Sequence, residues 1–388
     1  MNLRTLTFFA VMAGSIATSV CAQTLVNPDI SAIVDMRYIG RSDVAADLAD
    51  SEELSFEFHE LELAATGYLN PYMRGDVFLA IHGVTGPFEI EEAYASVVRG
   101  LPVQLRFGKY LVDFGKINTQ HPHQWGWVQR PLMHVTMFGP DGAGVIGLGA
   151  SRLQPVGDTA LTLSISLFRS DFFAAPELEH EHEDSLGTGY EDDHGHSHGG
   201  AGKTDVGANG RLSLFHSLTE NSHVEIGGSG MYARYDTEHE LDTALAGIDF
   251  KYRWRPSAYT SFNLLIESLY GEREIAAHDG EEHPTDAGED AHEHANETVT
   301  AWGAFSAAEF QFRRKYDIGL YYDWTQDAFV QDAGTKAYGG YFGFMPVEDT
   351  ARFSLVYRLE ESDFYEGTGH SLTFQVLWSL GPHKPHPF

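Results

Sequence analysis

The decapeptide Glu191–Gly200, EDDHGHSHGG, holds three acids and three histidines, and a second run from His278 to Glu297, HDGEEHPTDAGEDAHEHANE, repeats the composition. Imidazole combined with carboxylate suits first-row transition ions better than Ca2+ or Mg2+. His180, His182, His194, His196, His198, His278, His283, His292 and His294 are therefore candidate metal ligands, for Zn2+ first and then for Ni2+, Cu2+ or Co2+. With an unperturbed pKa of about 6.5, most are neutral ligands at neutral pH. Spacings such as HGHSH and HEH define no rigid tetrahedral site; they describe a loose chelating mesh that raises the local cation concentration. A solvated acidic loop in which histidine is incidental has the same composition. Segments 171–207 and 271–298 together contain nine of the 20 histidines and 20 of the 56 acids, against only Lys203 and Arg273, so their net charge is −18. So little apolar content cannot bury enough surface to fold alone.

A different mixture follows Phe107 in FGKYLVDFGKINTQHPHQWGWVQRPL, which carries Lys116, Asn118, His121, His123, Trp125, Trp127 and Arg130, with His134 just beyond. Aromatic and cationic groups at this density point to an ordered loop folded into an interior space. Lys116, His121, His123, Arg130 and His134 are its candidate constriction residues. His121 and His123 suit metal ligation and hydrogen bonding within a packed constriction equally well.

The elements that must position these loops are strands. In ARFSLVYRLE, Phe353, Leu355, Tyr357 and Leu359 share one face, and Arg352, Ser354, Arg358 and Glu360 the other, with Val356 the exception. YDIGLYYDWT, ALAGIDFKYRW and SLTFQVLWSL alternate in the same way. Successive side chains of a strand point to opposite faces, so each segment has one greasy and one polar side. A soluble sandwich with its greasy face inward shares this alternation, but the apolar faces here often end in Tyr or Trp, as the aromatic girdles of a membrane barrel do.

Loop lengths separate the two cases. Sixteen strands fit between Ile30 and Leu380. Alternate connections are short (GYLNP, RGLP, QPVGD, LTENS, RPSA, RKYD, PVEDT), and the other set contains every long one: 41–53, 111–142, 171–207, 235–241, 271–298, 326–335 and 361–369. Sorting by parity is what an outer-membrane barrel does, with tight periplasmic turns and long outside loops. The expected fold is an all-β, transmembrane, antiparallel up-and-down barrel enclosing an aqueous lumen. Asp35, Arg37, Arg74, Asp76, Arg106, Asp249, Lys251, Arg253, Glu309, Asp317, Asp323, Arg352 and Arg358 are expected to face that lumen, keeping it wet and shaping its field.

The first 22 residues read as a secretory signal: Arg4, an apolar stretch from Leu6 to Ala17, and small residues before a cleavage after Ala22. The barrel then occupies 23–388. A lipoprotein reading through Cys21 competes poorly, because Val20 and Thr18 precede it. Cleavage removes the only cysteine, so any metal site must use His and carboxylate. The mature chain has 24 basic and 56 acidic residues, a net charge of −32 that repels nucleic acid. There is no G-x-S-x-G and no other catalytic motif, so no enzyme is expected.

ELELAATGYLNPYMRGDVFLAI, EEAYASV, LRFGKYLVDFGKINTQHPHQWGWVQRPL and the closing GPHKPHPF together resemble a group of bacterial outer-membrane, porin-like barrels whose members are often labelled zinc-regulated outer-membrane receptors. The similarity covers most of the mature chain, and FGKINTQHPH is its most specific part. It implies a channel or receptor for metal or other small solutes, with histidine-rich loops outside. TonB-dependent receptors carry a large plug before a 22-stranded barrel; only seven residues separate Gln23 from the first strand here, so passive transport is expected. The final aromatic, Phe388, suits recognition by the outer-membrane assembly machinery, although Gly381–Pro387 separate it from the last strand. A homotrimer is the arrangement suggested by analogy with sixteen-stranded porins. The expected function is a channel for small solutes, with transition-metal ions captured at its mouth. The competing reading is a non-conducting barrel used for adhesion or anchoring.

Overall fold

The computed structural model describes residues 28–48, 52–84, 86, 88–170, 205–236, 240–275, 296–347 and 350–381. Residues 1–27, the signal segment among them, lie outside the described residues, as do 382–388 with Phe388. All nine loop histidines named above lie outside them too.

Sixteen strands form one closed antiparallel barrel. They are β1 Asp29–Arg41, β2 Leu54–Asn70, β3 Met73–His82, β4 Phe88–Val97, β5 Gln104–Leu111, β6 Gly144–Val156, β7 Thr159–Arg169 and β8 Val206–Thr219. The second half comprises β9 Ser222–Asp236, β10 Leu241–Ser257, β11 Thr260–Ile275, β12 Glu297–Phe312, β13 Tyr316–Gln326, β14 Gly334–Phe344, β15 Ala351–Ser362 and β16 Gly369–Leu380. Each strand pairs with its sequence neighbours, and β1 closes on β16 from Ala32↔Leu380 to Arg41↔Ser371. The only α-helical segments among the described residues are short, α1 Asp43–Leu48 and α2 Leu132–Phe138. No described helix is long and apolar enough to cross a membrane.

The alternation sorts the two faces as the sequence predicts. Ile248 and Leu320 are 68% and 69% exposed on the outer surface, while the intervening Asp249 and Asp323 are buried inward. Exposed Tyr68, Tyr72, Tyr259 and Trp378 mark the end of the wall with short turns; Tyr38, Phe56, Phe88 and Tyr232 mark the end with long loops. Ordinary soluble proteins do not expose an apolar surface this extensive; a band of aliphatic residues between two aromatic girdles is the exterior of a membrane barrel. Val356 points inward and is buried, which explains its break from the apolar face of β15.

Inside, opposite charges pair: Arg37 with Asp35 at 2.7 Å, Arg74 with Asp76 at 2.9 Å, Arg352 with Asp317 at 3.1 Å, and Arg211 with Asp249 through both guanidinium nitrogens. The parity of the connections also matches, but the second acidic insert is shorter than its composition suggests. β11 continues to Ile275, paired with Glu297 at the start of β12, so Arg273 belongs to the wall, where it donates to the Met137 carbonyl at 3.2 Å. Likewise β8 already begins at Val206. In both places the charged composition conceals strand periodicity.

The two faces predict different tolerance. Leu320→Arg, near the middle of β13 on the lipid side, should cost about 2–4 kcal/mol in equilibrium refolding into lipid vesicles followed by tryptophan fluorescence. An unchanged midpoint would show that this side does not meet hydrocarbon.

Candidate functional site: a loop pinned inside the barrel

Residues 112–143, between β5 and β6, fold into the lumen and pack against its wall. Val112, Phe114, Ile117, Trp125, Met133 and Phe138 share a buried core with wall residues such as Leu269, Phe305 and Tyr321. Trp127 lies over Phe305 with ring centres 4.8 Å apart. The aromatic residues that mark this segment in the sequence are thus the apolar side of an internal interface.

Polar pins complete it. Glu267 on β11, fully buried, accepts the backbone N–H of Lys116 at 2.7 Å and of Ile117 at 3.2 Å, and its other oxygen lies 2.7 Å from His134 Nε2. Gly115 has φ +62° and passes so close to the Glu267 carboxylate that a Cβ would collide with it. Asp323 accepts the Leu132 N–H at 2.9 Å at the start of α2, and Asn209 donates to the Asp113 carbonyl at 3.0 Å. Asn118 ties the neck, donating to the Val112 carbonyl at 2.9 Å and accepting from the Ala143 N–H at 2.8 Å. Val128 holds φ +72°, a conformation unfavourable for a β-branched residue, at the point where its carbonyl accepts from Arg37. Such strain, of order 1–3 kcal/mol, persists only where surrounding contacts over-determine the backbone.

The five constriction candidates separate into two groups. Lys116 pairs with Glu225 on β9, and His134 is fully buried against Glu267. The constriction candidate His134 thus sits as an anchor of the loop: α2 carries it to the wall, where it is buried against the Glu267 carboxylate. Arg130 donates to the carbonyls of Pro140 and Asp141 at 2.8 and 3.2 Å and lies over the Trp125 ring, holding the two ends of the loop's tip together.

His121 and His123 flank the 3-10 turn Pro122–Gln124 and approach the opposite side of the lumen, at β2 and β4. His121 Nδ1 lies 3.0 Å from Glu62 Oε2 and 3.3 Å from Glu91 Oε2; its Nε2 lies 3.1 Å from Glu92 Oε1. His123 Nδ1 is 3.4 Å from the same Glu62 oxygen, and Glu60 completes the group. Glu92 is itself oriented by the Leu111 N–H at 3.0 Å. Burial pulls the His121 imidazole toward lower pKa, but the charge of Glu62 and the close carboxylates of Glu91 and Glu92 outweigh it and hold its pKa well above the ordinary value.

None of these glutamates stands out in the sequence: Glu60 and Glu62 follow the ordinary period of two, and a bulge in β4 adds Glu91 beside Glu92. Between β3 and β4 the register passes from Phe78↔Glu92 to Leu79↔Ile90, leaving Glu91 as the extra residue. Between β1 and β2 it passes from Asp35↔Glu60 to Met36↔Phe58, leaving His59 over. A bulge re-aims side chains that strict alternation would send outward. The available signal was the pair Glu60 and Glu62 at spacing two beside the adjacent acids Glu91 and Glu92.

His121 also separates two cavities. One of about 470 Å³, toward the short turns, is lined by Glu62, Arg74, Glu92, Arg106 and His121. The other, of about 320 Å³ and toward the long loops, is lined by His82, Glu91, Lys109, His121 and Arg130.

Comparison with known proteins agrees with this architecture. The barrel resembles the anion-selective porin of Comamonas acidovorans, with TM-score 0.56 and 10% identity over 90% of this chain and 98% of that one. It also resembles OmpT of Vibrio cholerae in its trimer form (0.53, 8%, 91% and 98%) and the outer-membrane channel DcaP of Acinetobacter baumannii (0.52, 11%, 91% and 96%). At these identities the likeness defines the fold, a porin-type sixteen-stranded barrel. None of these names refers to zinc regulation. An uncharacterized protein of Aquifex aeolicus is 29% identical over 175 residues, 40% of this chain, which spans only 36% of that relative's length. No family model matches the chain.

Removing the central pin should release the loop. Glu267→Ala orphans three buried donors, each at a cost of about 1–3 kcal/mol. Trypsin cleavage after Lys116 in detergent-purified protein should accelerate at least tenfold, and an unchanged rate would show that the loop is held by its apolar side alone.

Proposed function

We propose that this chain is an outer-membrane channel of porin type, passing small solutes through a lumen narrowed by the inward loop. One observation carries the reading: the wall is apolar and aromatic outside and charged inside, with cavities of about 470 and 320 Å³ on the two sides of the loop. Lipid covers the first surface and water the second. The porin and channel neighbours support this reading, and the trimer form of the Vibrio cholerae protein supports a homotrimer. The outer-membrane assembly machinery is the partner that such a barrel requires for insertion.

The solutes we favour are transition-metal ions, Zn2+ first, gathered at the outer mouth by the acidic, histidine-dotted inserts. Their composition is the support: nine histidines and a net charge of −18 across 171–207 and 271–298 concentrate divalent cations. In this reading the protein needs no cofactor and carries out no reaction.

Reconstitution into planar bilayers decides between conduction and anchoring. Discrete, steady current steps are expected, with zinc on the insert side altering them. Deleting residues 180–198 and 278–294 should leave conduction in place and reduce the response to micromolar zinc by about tenfold. Silence from correctly folded, heat-modifiable protein would reject the channel in favour of a non-conducting surface barrel.

A further inference from the structure

We infer that Glu62, Glu91, His121 and His123, with Glu60 at the margin, form a binding site for a first-row divalent cation in the lumen, where the inward loop meets β2 and β4. The inference rests on the channel reading only for its consequence; the site itself rests on geometry.

The donor atoms converge close to one another in a space closed to solvent. Glu62 Oε2, Glu91 Oε2 and His121 Nδ1 are all removed from solvent, and none has a hydrogen-bond partner. His121 Nδ1 lies 3.0 Å from Glu62 Oε2 and 3.3 Å from Glu91 Oε2, and His123 Nδ1 is 3.4 Å from the same Glu62 oxygen. Zinc at bond lengths of about 2.0–2.1 Å in a tetrahedral shell separates its ligand atoms by about 3.3 Å. The observed spacings of 3.0–3.4 Å suit atoms gathered around such an ion.

The orientation of His121 points the same way. A cation bound between them would displace the proton that Nδ1 otherwise shares with Glu62 and Glu91, leaving the Nε2–H donated to Glu92 Oε1. A ligating histidine that gives its other N–H to a carboxylate is the usual arrangement around protein-bound metals, because the carboxylate fixes the tautomer and raises ligand basicity. Here Glu92, held in turn by the Leu111 N–H, fills that place.

Charge supplies the third argument. Four carboxylates, Glu60, Glu62, Glu91 and Glu92, surround two imidazoles within the lumen. Even with both rings protonated the group remains negative, and buried charge is costly unless compensated. Arg106, lying over Tyr94 and Tyr110, and Arg130, capping the loop tip, offset part of this charge by acting on Glu92, Glu91 and Glu60 from a distance. A dication held by mixed imidazole and carboxylate donors balances the site, and the donor set favours Zn2+, Mn2+, Co2+ or Ni2+ over Ca2+ and Mg2+.

Location gives the site its consequence. Glu91 lines the cavity on the loop side, Glu62 and Glu92 line the cavity on the turn side, and His121 lines both. An ion bound here occupies the boundary between the two chambers. It is positioned either to be relayed inward or to close the passage to other solutes.

The test uses the full mature chain purified in detergent. Crystals soaked in ZnCl2 should show an anomalous peak at the zinc edge between Glu62 and His121, apart from any zinc held by the acidic inserts. Titration calorimetry with ZnCl2 should lose one tight site on Glu62→Gln, with affinity falling on the order of 100-fold. Glu92→Gln, which leaves the ligands in place, should weaken it by about 10–100-fold. Heat-modifiability on gels confirms that each variant is folded, and the peak in the unaltered chain does not depend on the variants. No peak at this position under saturating zinc, or unchanged binding in folded Glu62→Gln, overturns the site. A zinc peak in protein that conducts no current leaves the site standing and rejects only the channel.

Discussion

In hydrocarbon an unpaired peptide group costs several kcal/mol, so a sheet that crosses a membrane can have no free edge. The pairing of β1 with β16 removes the last edge here, and the remaining architecture follows from that closure. Once the sheet is a cylinder, the two-residue period assigns every side chain to lipid or to lumen. Sixteen strands enclose more space than wall side chains alone fill. The inward loop occupies part of that excess and makes an internal core in which apolar side chains of loop and wall meet away from both lipid and water.

That loop is held by unlike forces on its two sides. Toward β11 and β12 it is pinned by buried apolar contact and by Glu267, whose carboxylate accepts backbone donors from Lys116 and Ile117. Toward β2 and β4 it presents two imidazoles to a group of acids. One side is dry and fully partnered, whereas the other is charged, bordered by cavities and incompletely bonded. A fold tolerates such a polar group where it serves a purpose beyond stability.

Much of the fold was legible in the sequence, because burial on one face of a strand imposes a rigid period. ARFSLVYRLE and YDIGLYYDWT place their polar faces inward as written, and the parity of loop lengths anticipated the two ends of the barrel. The inward loop was legible from its tryptophans. Less visible were the boundaries of β11 and β12, where GEREI is strand despite its charge. His134 could not be told apart from His121 and His123, since their difference lies in which wall each one meets. The acids at 60, 62, 91 and 92 escaped notice for a related reason. Their grouping needs the bulge in β4 and a partner loop about 30 to 60 positions away, and no local pattern encodes either.

The mixed origin of the acid–imidazole group has a thermodynamic corollary. Its carboxylates belong to β2 and β4, fixed by backbone pairing, whereas its imidazoles ride on a loop held in place by side-chain contacts. Occupancy by any ligand that touches both halves must favour the inserted conformation, and by reciprocity whatever favours insertion tightens that ligand by the same factor. Loop posture and lumen chemistry are therefore a single linked equilibrium, read from either end.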